Sequence, residues 1–410
     1  MHDLFAKGKE GICCEGILKK KSKSLKQQKN LFSRSGFMKV SKGRKRVGYI
    51  NGIMKNVRSI NKSEFKAFYD DLNSADCIIL VGEGRSQSAL YIGMGQMDKW
   101  VRTMVDVDFP GRDIVEAAPV LAKKYDKIAL LVNSGSGETS TPKIVVKQLS
   151  EYIEQEKSDK FTIDAVVSNT NSSIGKIREK DYGHVVELKG RERKPNTSNA
   201  FLKHGIMNDV YELGSLLLFQ KTKEAINEKK DYNAVIEKMD EESKIIGKIV
   251  DEFVSSDIYK DIIDKLETRS RITMGGLGSA RNVAKMTAIR LQHVKRAIGD
   301  EAYLSGPFAP RPRAGDILFL ISWSGETEPL LGWCREQKEF GGFVYSIVGN
   351  ESTLSEESDS FIIKSSPTTF YERATFALSP LPLHLVERLR QRGFKLPEYI
   401  MEWWQHSVTQ

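Results

Sequence analysis

Hydroxyl-bearing residues and glycine alternate in two short segments with the pattern Ser-x-Ser-Gly-Glu-Thr, at residues 134–139 and 322–327. Each segment follows a run of aliphatic and β-branched residues and precedes a stretch with helical spacing. Glycine lets the main chain approach an anion, hydroxyl groups donate hydrogen bonds, and a helix N-terminus offers unpaired N–H groups. The pattern therefore predicts two loops that hold a phosphate without a lysine.

Helix capping is the alternative interpretation of one such loop, because Ser and Gly often cap helices. Two copies, each following a Gly-x-Gly turn in its own half of the chain, favour a ligand instead. Neither loop matches the Gly-x-x-x-x-Gly-Lys-Ser/Thr nucleotide motif, and Gly82-x-Gly84 lacks the third glycine of the dinucleotide fingerprint. We therefore expect no nucleotide cofactor, and no motif predicts a metal site.

The elements that must position these loops recur in the same order in both halves of the chain. Predicted strands cover 77–81, 128–132, 165–167 and 185–188 in the first half, and 272–274, 317–321, 343–348 and 361–363 in the second. A helix containing Tyr-Glu follows the last strand of each half, at Tyr211-Glu212 and Tyr371-Glu372. Short strands that alternate with glycine-rich turns and helices are typical of an α/β fold with a parallel sheet.

The chain of 410 residues, with 40% hydrophobic and 29% charged residues, is long enough for two or three domains with buried cores. We predict a basic extension without regular structure, a first module, a helical connector and a second module with a C-terminal helical tail. The predicted boundaries are 1–55, 56–220, 221–265 and 266–410.

The net charge of +9 comes from the N-terminal segment. Residues 1–50 contain fourteen Lys or Arg and three acidic residues, a net charge of +11, so the remaining 360 residues carry −2. We interpret this segment as a disordered extension, or as sequence upstream of a natural start at Met38 or Met54. A tether for nucleic acid or another acidic surface ranks below both interpretations.

Cysteine usage and hydropathy predict a soluble, cytoplasmic protein. The sequence has no run of about 18 apolar residues and no signal-peptide pattern at its start. Its few cysteines have neither disulfide-framework nor metal-ligand spacing, so we expect free thiols in a reducing compartment. They are Cys13, Cys14, Cys77 and Cys334.

The two loops, their preceding Gly-x-Gly turns and the Tyr-Glu helices resemble the sugar isomerase (SIS) family over roughly residues 60–220 and 265–390. The resemblance implies two tandem modules, each a five-stranded parallel sheet flanked by helices in a flavodoxin-like three-layer sandwich. It also implies that the modules pair and form sites at their interface. Tandem modules are similar to the isomerase half of glucosamine-6-phosphate synthase, and the end of the first module is similar to 6-phospho-3-hexuloisomerases.

The resemblance also implies roles for individual residues. Glu212 and Glu372 match the family's catalytic glutamate, and His204 lies eight residues before Glu212, where it could open a sugar ring. The alternative for His204 is a structural or solvent-facing histidine. Ser86 matches a ligand-contacting serine, but the second copy has Ala280 in that place. The expected phosphate and sugar contacts are Gly84, Ser86, Ser134, Gly135, Ser136, Thr139, Ser322, Ser324 and Thr327.

Three functional hypotheses remain open at this point. The first is a metal-free aldose–ketose isomerase, or a related deglycase or deaminase, that acts on a phosphorylated sugar or amino sugar. The second is a non-catalytic sugar-phosphate sensor, and the third, a nucleic-acid-binding protein, depends only on the basic segment. We further expect a homodimer, no membrane association and no nucleic-acid partner apart from the basic segment.

Overall fold

A computed structural model of the chain describes residues 48–190, 210–268 and 270–395, all within one unit that extends from Arg46 to Gln410. The first half contains the helices α1 (Gly48–Arg58), α2 (Lys62–Ser74), α3 (Gly84–Met94), α4 (Ile114–Lys124), α5 (Ser140–Glu156) and α6 (Val210–Asn227). Its strands are β1 (Cys77–Gly82), β2 (Trp100–Arg102), β3 (Ile128–Asn133), β4 (Phe161–Val167) and β5 (Gly183–Glu187), and a 3-10 helix covers Gly175–Glu179.

The second half repeats most of this order, but within the described part of the chain no helix lies between its second and third strands. Its helices are α7 (Tyr232–Ser255), α8 (Asp257–Glu267), α9 (Ser279–Ala297), α10 (Glu328–Glu339), α11 (Thr353–Glu357), α12 (Pro367–Leu378) and α13 (Pro380–Gln391). Its strands are β6 (Ile272–Gly275), β7 (Ala302–Leu304), β8 (Ile317–Ser322), β9 (Phe343–Val348) and β10 (Asp359–Ile362). None of the helices in the described residues has the length and hydropathy needed to cross a membrane.

The described strands form two parallel five-stranded sheets, in the orders β2-β1-β3-β4-β5 and β10-β9-β8-β6-β7. Read from corresponding strands, both orders are 2-1-3-4-5, the order of flavodoxin-like folds. The α/β fold class and its internal duplication are therefore confirmed. The three-residue edge strands β2 and β7 were not predicted, because such short, partly buried segments carry no clear periodicity.

The two sheets turn one face each toward a shared core. In β1, Ile78 and Leu80 belong to this shared core, which also contains Phe319 of β8. Cys77, Ile79 and Val81 point to a separate core under α4 and α5, as the two-residue period of a strand requires. The continuous apolar core holds the two modules together as one body.

Helices at the start of each half change the predicted domain boundaries. Helix α1 crosses the predicted boundary at residue 55, because Ile50, Ile53 and Met54 are buried in the shared core. Residues 48–55 therefore belong with the first module. The predicted connector forms α7 and α8, and α8 precedes β6 as α2 precedes β1. Much of the connector is thus the first part of the second repeat.

Candidate functional site

The two candidate phosphate loops lie at equivalent positions, where the chain leaves β3 and β8. In the first sheet β1 lies between β2 and β3, so the connections after β1 and β3 leave in opposite directions. Such a switch point forms a crevice at the carboxyl ends of parallel strands, where α/β proteins bind ligands. The turn at Gly84, which has a φ of +59°, and the loop 134–139 both border this crevice.

Three hydroxyl groups come together in the first loop. Ser134 Oγ lies 3.1 Å and Ser136 Oγ 3.5 Å from Thr139 Oγ1. Ser134 is buried and Ser136 is exposed, so the group reaches from the sheet to the surface. The Glu138 N–H donates to Ser136 Oγ at 3.2 Å. The loop thus presents several hydrogen-bond donors at the N-terminus of α5, a suitable arrangement for an anion.

Gly137 and Glu138 determine the backbone conformation of this loop and its attachment to the rest of the module. Gly137 has a φ of +66°, and a Cβ atom there would lie 1.9 Å from Ser172 Oγ. The Glu138 carboxylate accepts hydrogen bonds from the Ser173 N–H at 2.7 Å and from Ser173 Oγ at 2.8 Å. These contacts lower the pKa of Glu138, the backbone N–H having the largest effect. Glu138 therefore fastens the loop to the chain after β4.

The second loop has nearly the same construction. Ser322 Oγ lies 3.4 Å from Thr327 Oγ1, and the Glu326 N–H donates to Ser324 Oγ at 3.2 Å. Gly325 has a φ of +68°, and the Glu326 carboxylate accepts from the Thr353 N–H at 2.8 Å. Both copies of the motif therefore form the same loop, although their surroundings differ.

The glycine of each loop provides a test of this construction. We expect Gly137→Ala and Gly325→Ala each to lower the free energy of unfolding by about 1–3 kcal/mol, because the left-handed backbone disfavours a side chain. Each should also weaken phosphate binding at its own loop. Denaturant titration and phosphate titration measure the two effects. The matched control is Gly332→Ala in α10, where a Cβ atom meets nothing within 4 Å and should not destabilise the protein. Equal behaviour of all three variants would contradict the prediction.

Asn133 connects the first loop to the turn after β1 and to α6. Its fully buried amide donates to the Ser86 carbonyl at 2.8 Å and to Ser215 Oγ at 3.1 Å. The Tyr211 hydroxyl donates to Asn133 Oδ1 at 2.7 Å. These bonds bring the start of α6, where Glu212 lies, next to the switch point. The sequence analysis missed Asn133, although a polar residue that ends an apolar strand was a usable signal.

Glu212 is buried at the boundary between the modules. Only 3% of the residue is exposed, and its Oε1 lies 3.6 Å from Nη2 of Arg290, on α9 of the second module. Arg85, next to Ser86, donates in turn to the Met286 carbonyl of α9. The second module therefore supplies positive charge beside the candidate base of the first.

Two further side chains of α9 lie at this boundary. The Lys285 ammonium donates to Gln87 Oε1 at 3.0 Å, directly beyond Ser86. Burial, followed by the charges of Arg290 and Arg85, lowers the pKa of His293 to about 4. His293 is therefore a neutral imidazole at physiological pH. The sequence analysis missed both residues because nothing local distinguishes them from ordinary surface residues of a helix.

Glu372 has a different environment from Glu212. It is fully buried, and its Oε2 lies 2.9 Å from Nζ of Lys221, on α6 of the first module. Lys221 also lies 3.0 Å from Glu224 and 3.4 Å from Glu242. Burial raises the pKa of Glu372 to about 8. Glu372 is therefore enclosed in a buried ionic cluster between the modules.

The two modules differ at two of the remaining predicted positions. Ser86 is buried in the first turn of α3, whereas Ala280 occupies the equivalent turn of α9. Trp323 replaces Gly135 of the first loop, and its indole N–H donates to the Ser365 carbonyl at 3.0 Å. His204 lies outside the described residues.

Comparisons with known proteins support the resemblance inferred from the loops. No family model matches the chain. The 3-hexulose-6-phosphate isomerase of Methanocaldococcus jannaschii is 28% identical over 154 residues, which cover 34% of this chain and 83% of that protein. The Bacillus subtilis protein of the same name is 29% identical over 112 residues, 27% of this chain and 58% of that protein.

Solved structures share the complete double fold. The C-terminal domain of glucosamine-fructose-6-phosphate aminotransferase from Francisella tularensis has a TM-score of 0.53 and 16% identity, and the match covers 83% of this chain and 93% of that one. Tagatose-6-phosphate ketose/aldose isomerase from Escherichia coli has a TM-score of 0.54 and 11% identity, with 85% and 92% covered. The chain therefore has the double α/β fold of these proteins, and it resembles the SIS family. The resemblance inferred from the loops is thus confirmed, and each SIS module contributes one loop and one buried glutamate.

Proposed function

We propose that the first SIS module catalyses the interconversion of an aldose and a ketose on a phosphorylated sugar. The similarity to two 3-hexulose-6-phosphate isomerases supports the isomerisation of a phosphorylated sugar, and the choice of an aldose and a ketose is the finer part of this proposal. The main structural support for the proposal is the Asn133 side chain, which forms hydrogen bonds with Ser86, Ser215 and Tyr211. These hydrogen bonds support the proposal because they connect the turn of Ser86 with the first turn of α6, the helix that contains Glu212.

The reaction requires a base that moves a proton between C1 and C2 of the sugar through an enediol. In the proposed mechanism, Ser134, Ser136 and Thr139 hold the phosphate, and Glu212 removes the proton and returns it to the neighbouring carbon. Arg290 is close enough to Glu212 to orient its carboxylate and to stabilise negative charge that develops on the enediol oxygen. Ring opening by His204 belongs to the same proposal. An amino-sugar phosphate would use the same phosphate contacts.

The second SIS module has features that favour binding without catalysis. It has Ala280 where the first has Ser86, and Trp323 where the first has Gly135. Its glutamate, Glu372, is paired with Lys221 and has no exposed surface. We therefore propose that the second loop binds a sugar phosphate as a sensor, which keeps the sensor hypothesis for this half of the chain.

A screen of sugar phosphates tests the assignment. We expect a ketose or aldose phosphate to raise the unfolding temperature of the full chain and to exchange its C1 or C2 proton with solvent. At a ligand concentration of about 100 Kd the stabilisation should be about 2.7 kcal/mol. Thermal unfolding and proton NMR measure the two effects.

Matched serine variants assign each effect to one loop. Ser136→Ala should weaken binding by roughly tenfold or more, as expected for a lost hydrogen bond to a charged group, and should slow exchange at subsaturating ligand. Ser324→Ala should leave exchange unchanged. Exchange that depended on Ser324 and not on Ser136 would contradict the assignment of catalysis to the first module.

A further inference from the structure

Three metal-ligating side chains lie together on the first module, apart from the loops. Asp164 is on β4, His184 is on the paired strand β5, and Asp71 is on α2, which packs over these strands. One ligand atom from each residue lies within 4.8 Å of the other two. His184 Nδ1 is in hydrogen-bond contact with Asp71 and lies 3.9 Å from Asp164 Oδ1. The side chains from α2, β4 and β5 therefore meet in one place.

Asp164 is the unusual member of this group. It is fully buried, and within the described residues its Oδ1 has no hydrogen-bond partner. Two carboxylates that face each other away from water need a cation or a shared proton between them. The Oδ1 atom of Asp164 is therefore available as a ligand for a cation.

The second module has different side chains at the equivalent position. Two equivalent backbone hydrogen bonds show which residues of the two sheets correspond. The Leu188 N–H donates to the Val167 carbonyl, and the Ile363 N–H donates to the Val348 carbonyl, each at 2.8 Å. In this alignment Tyr345 corresponds to Asp164, and Asp359 corresponds to His184. The Tyr345 hydroxyl donates directly to Asp261 of α8, the counterpart of α2. One module therefore closes the contact with a tyrosine, whereas the other has three metal-ligand side chains.

We propose that Asp71, Asp164 and His184 form a structural site for a divalent transition-metal ion such as Zn²⁺ or Mn²⁺. Two carboxylates and an imidazole form a mixed oxygen and nitrogen ligand set that suits these ions. Tetrahedral ligand atoms about 2.1 Å from an ion lie about 3.4 Å apart, so an ion would separate His184 Nδ1 from Asp71 and draw it toward Asp164. The Thr162 hydroxyl, which donates to Asp164 Oδ2 at 2.9 Å, orients the central carboxylate.

The proposed ion has a route of entry and a structural consequence. The side chains of Asp71 and His184 are 21% and 32% exposed, so the group opens to solvent on the side away from Asp164. Val166, two residues after Asp164, accepts a hydrogen bond from the Ser134 N–H of the first loop. An ion here would fix α2 against the strand that supports the loop, and it takes no part in the proposed isomerisation.

The test uses the untagged full chain, stripped with a chelating resin and then titrated with Zn²⁺ or Mn²⁺ alone. We expect one ion per chain by elemental analysis. The unfolding temperature should rise by roughly 3 °C or more at a free-ion concentration of about 100 Kd. Asp164→Asn and His184→Gln should each raise the Kd for the ion by at least about 100-fold. Asp359→Asn, at the position equivalent to His184, should leave the Kd unchanged.

Two results would overturn the site. Ion binding that persists in His184→Gln, a variant at a partly exposed position that should fold, would place the ion elsewhere. A stripped protein that binds no ion, together with an Asp164→Asn variant at least as stable as the parent, would show that the two carboxylates share a proton instead.

Discussion

Glu212→Gln is expected to slow proton exchange at the sugar by about 10²–10⁴-fold, the contribution typical of a positioned general base. The amide has the shape of the carboxylate but cannot accept the proton. Because the phosphate contacts remain, we expect the affinity for the sugar phosphate to change by less than about threefold. Single-turnover exchange measured by NMR, together with ligand titration, separates the two quantities.

Glu372→Gln is the matched control, because Glu372 holds the equivalent position in the second module. It should leave proton exchange within about twofold of the parent rate. An unchanged rate in Glu212→Gln, with exchange lost in Ser136→Ala, would show that the first module binds the substrate but that another group is the base.

Lys221→Met is expected to destabilise the protein by about 3–5 kcal/mol, the usual cost of removing one partner from a buried ionic group. The ammonium of Lys221 lies within 3.4 Å of Glu224, Glu242 and Glu372, and only 1% of the residue is exposed. Burial opposes its charge, but the three carboxylates outweigh burial and raise the pKa of Lys221. Denaturant titration measures the loss.

Lys66→Met on α2 is the control for this prediction. Lys66 forms an exposed i,i+4 pair with Asp70, and solvent screens such pairs so that they contribute little to stability. The double variant Lys221→Met, Glu372→Gln should recover part of the loss, because it also removes the buried carboxyl group that Lys221→Met leaves without its partner. A Lys221→Met variant as stable as Lys66→Met would refute the ionic role.

We also expect the free energy of unfolding to depend on pH because of Glu372. Its ordinary pKa of 4.5 is raised to about 8 in the folded protein, so folding favours its protonated form. The corresponding stabilisation is complete below about pH 4.5 and is lost as the pH rises toward about 8. Glu372→Gln should remove this part of the profile. The free energy of unfolding of both proteins, measured across this range, tests the sign.

The fold class and the loops could be predicted because their signals are local. Every predicted strand is present, since runs such as 77–81 and 343–348 combine apolar composition with a glycine-rich end. The short edge strands β2 and β7 were not predicted. Helices α7 and α8 carry many charges, and their role in the second repeat depends on what they pack against.

The sequence by itself determined the duplicated α/β fold, the two hydroxyl-rich loops and the equivalent positions of Glu212 and Glu372, because strand periodicity, glycine turns and repeats are patterns of neighbouring residues. Only the tertiary structure decided the environments of the two glutamates. Arg290 lies 78 positions after Glu212, and Lys221 lies 151 positions before Glu372. Such pairs depend on how α6, α9 and α12 pack across the module boundary. In the sequence, each of these lysines and arginines is indistinguishable from a solvated helix residue.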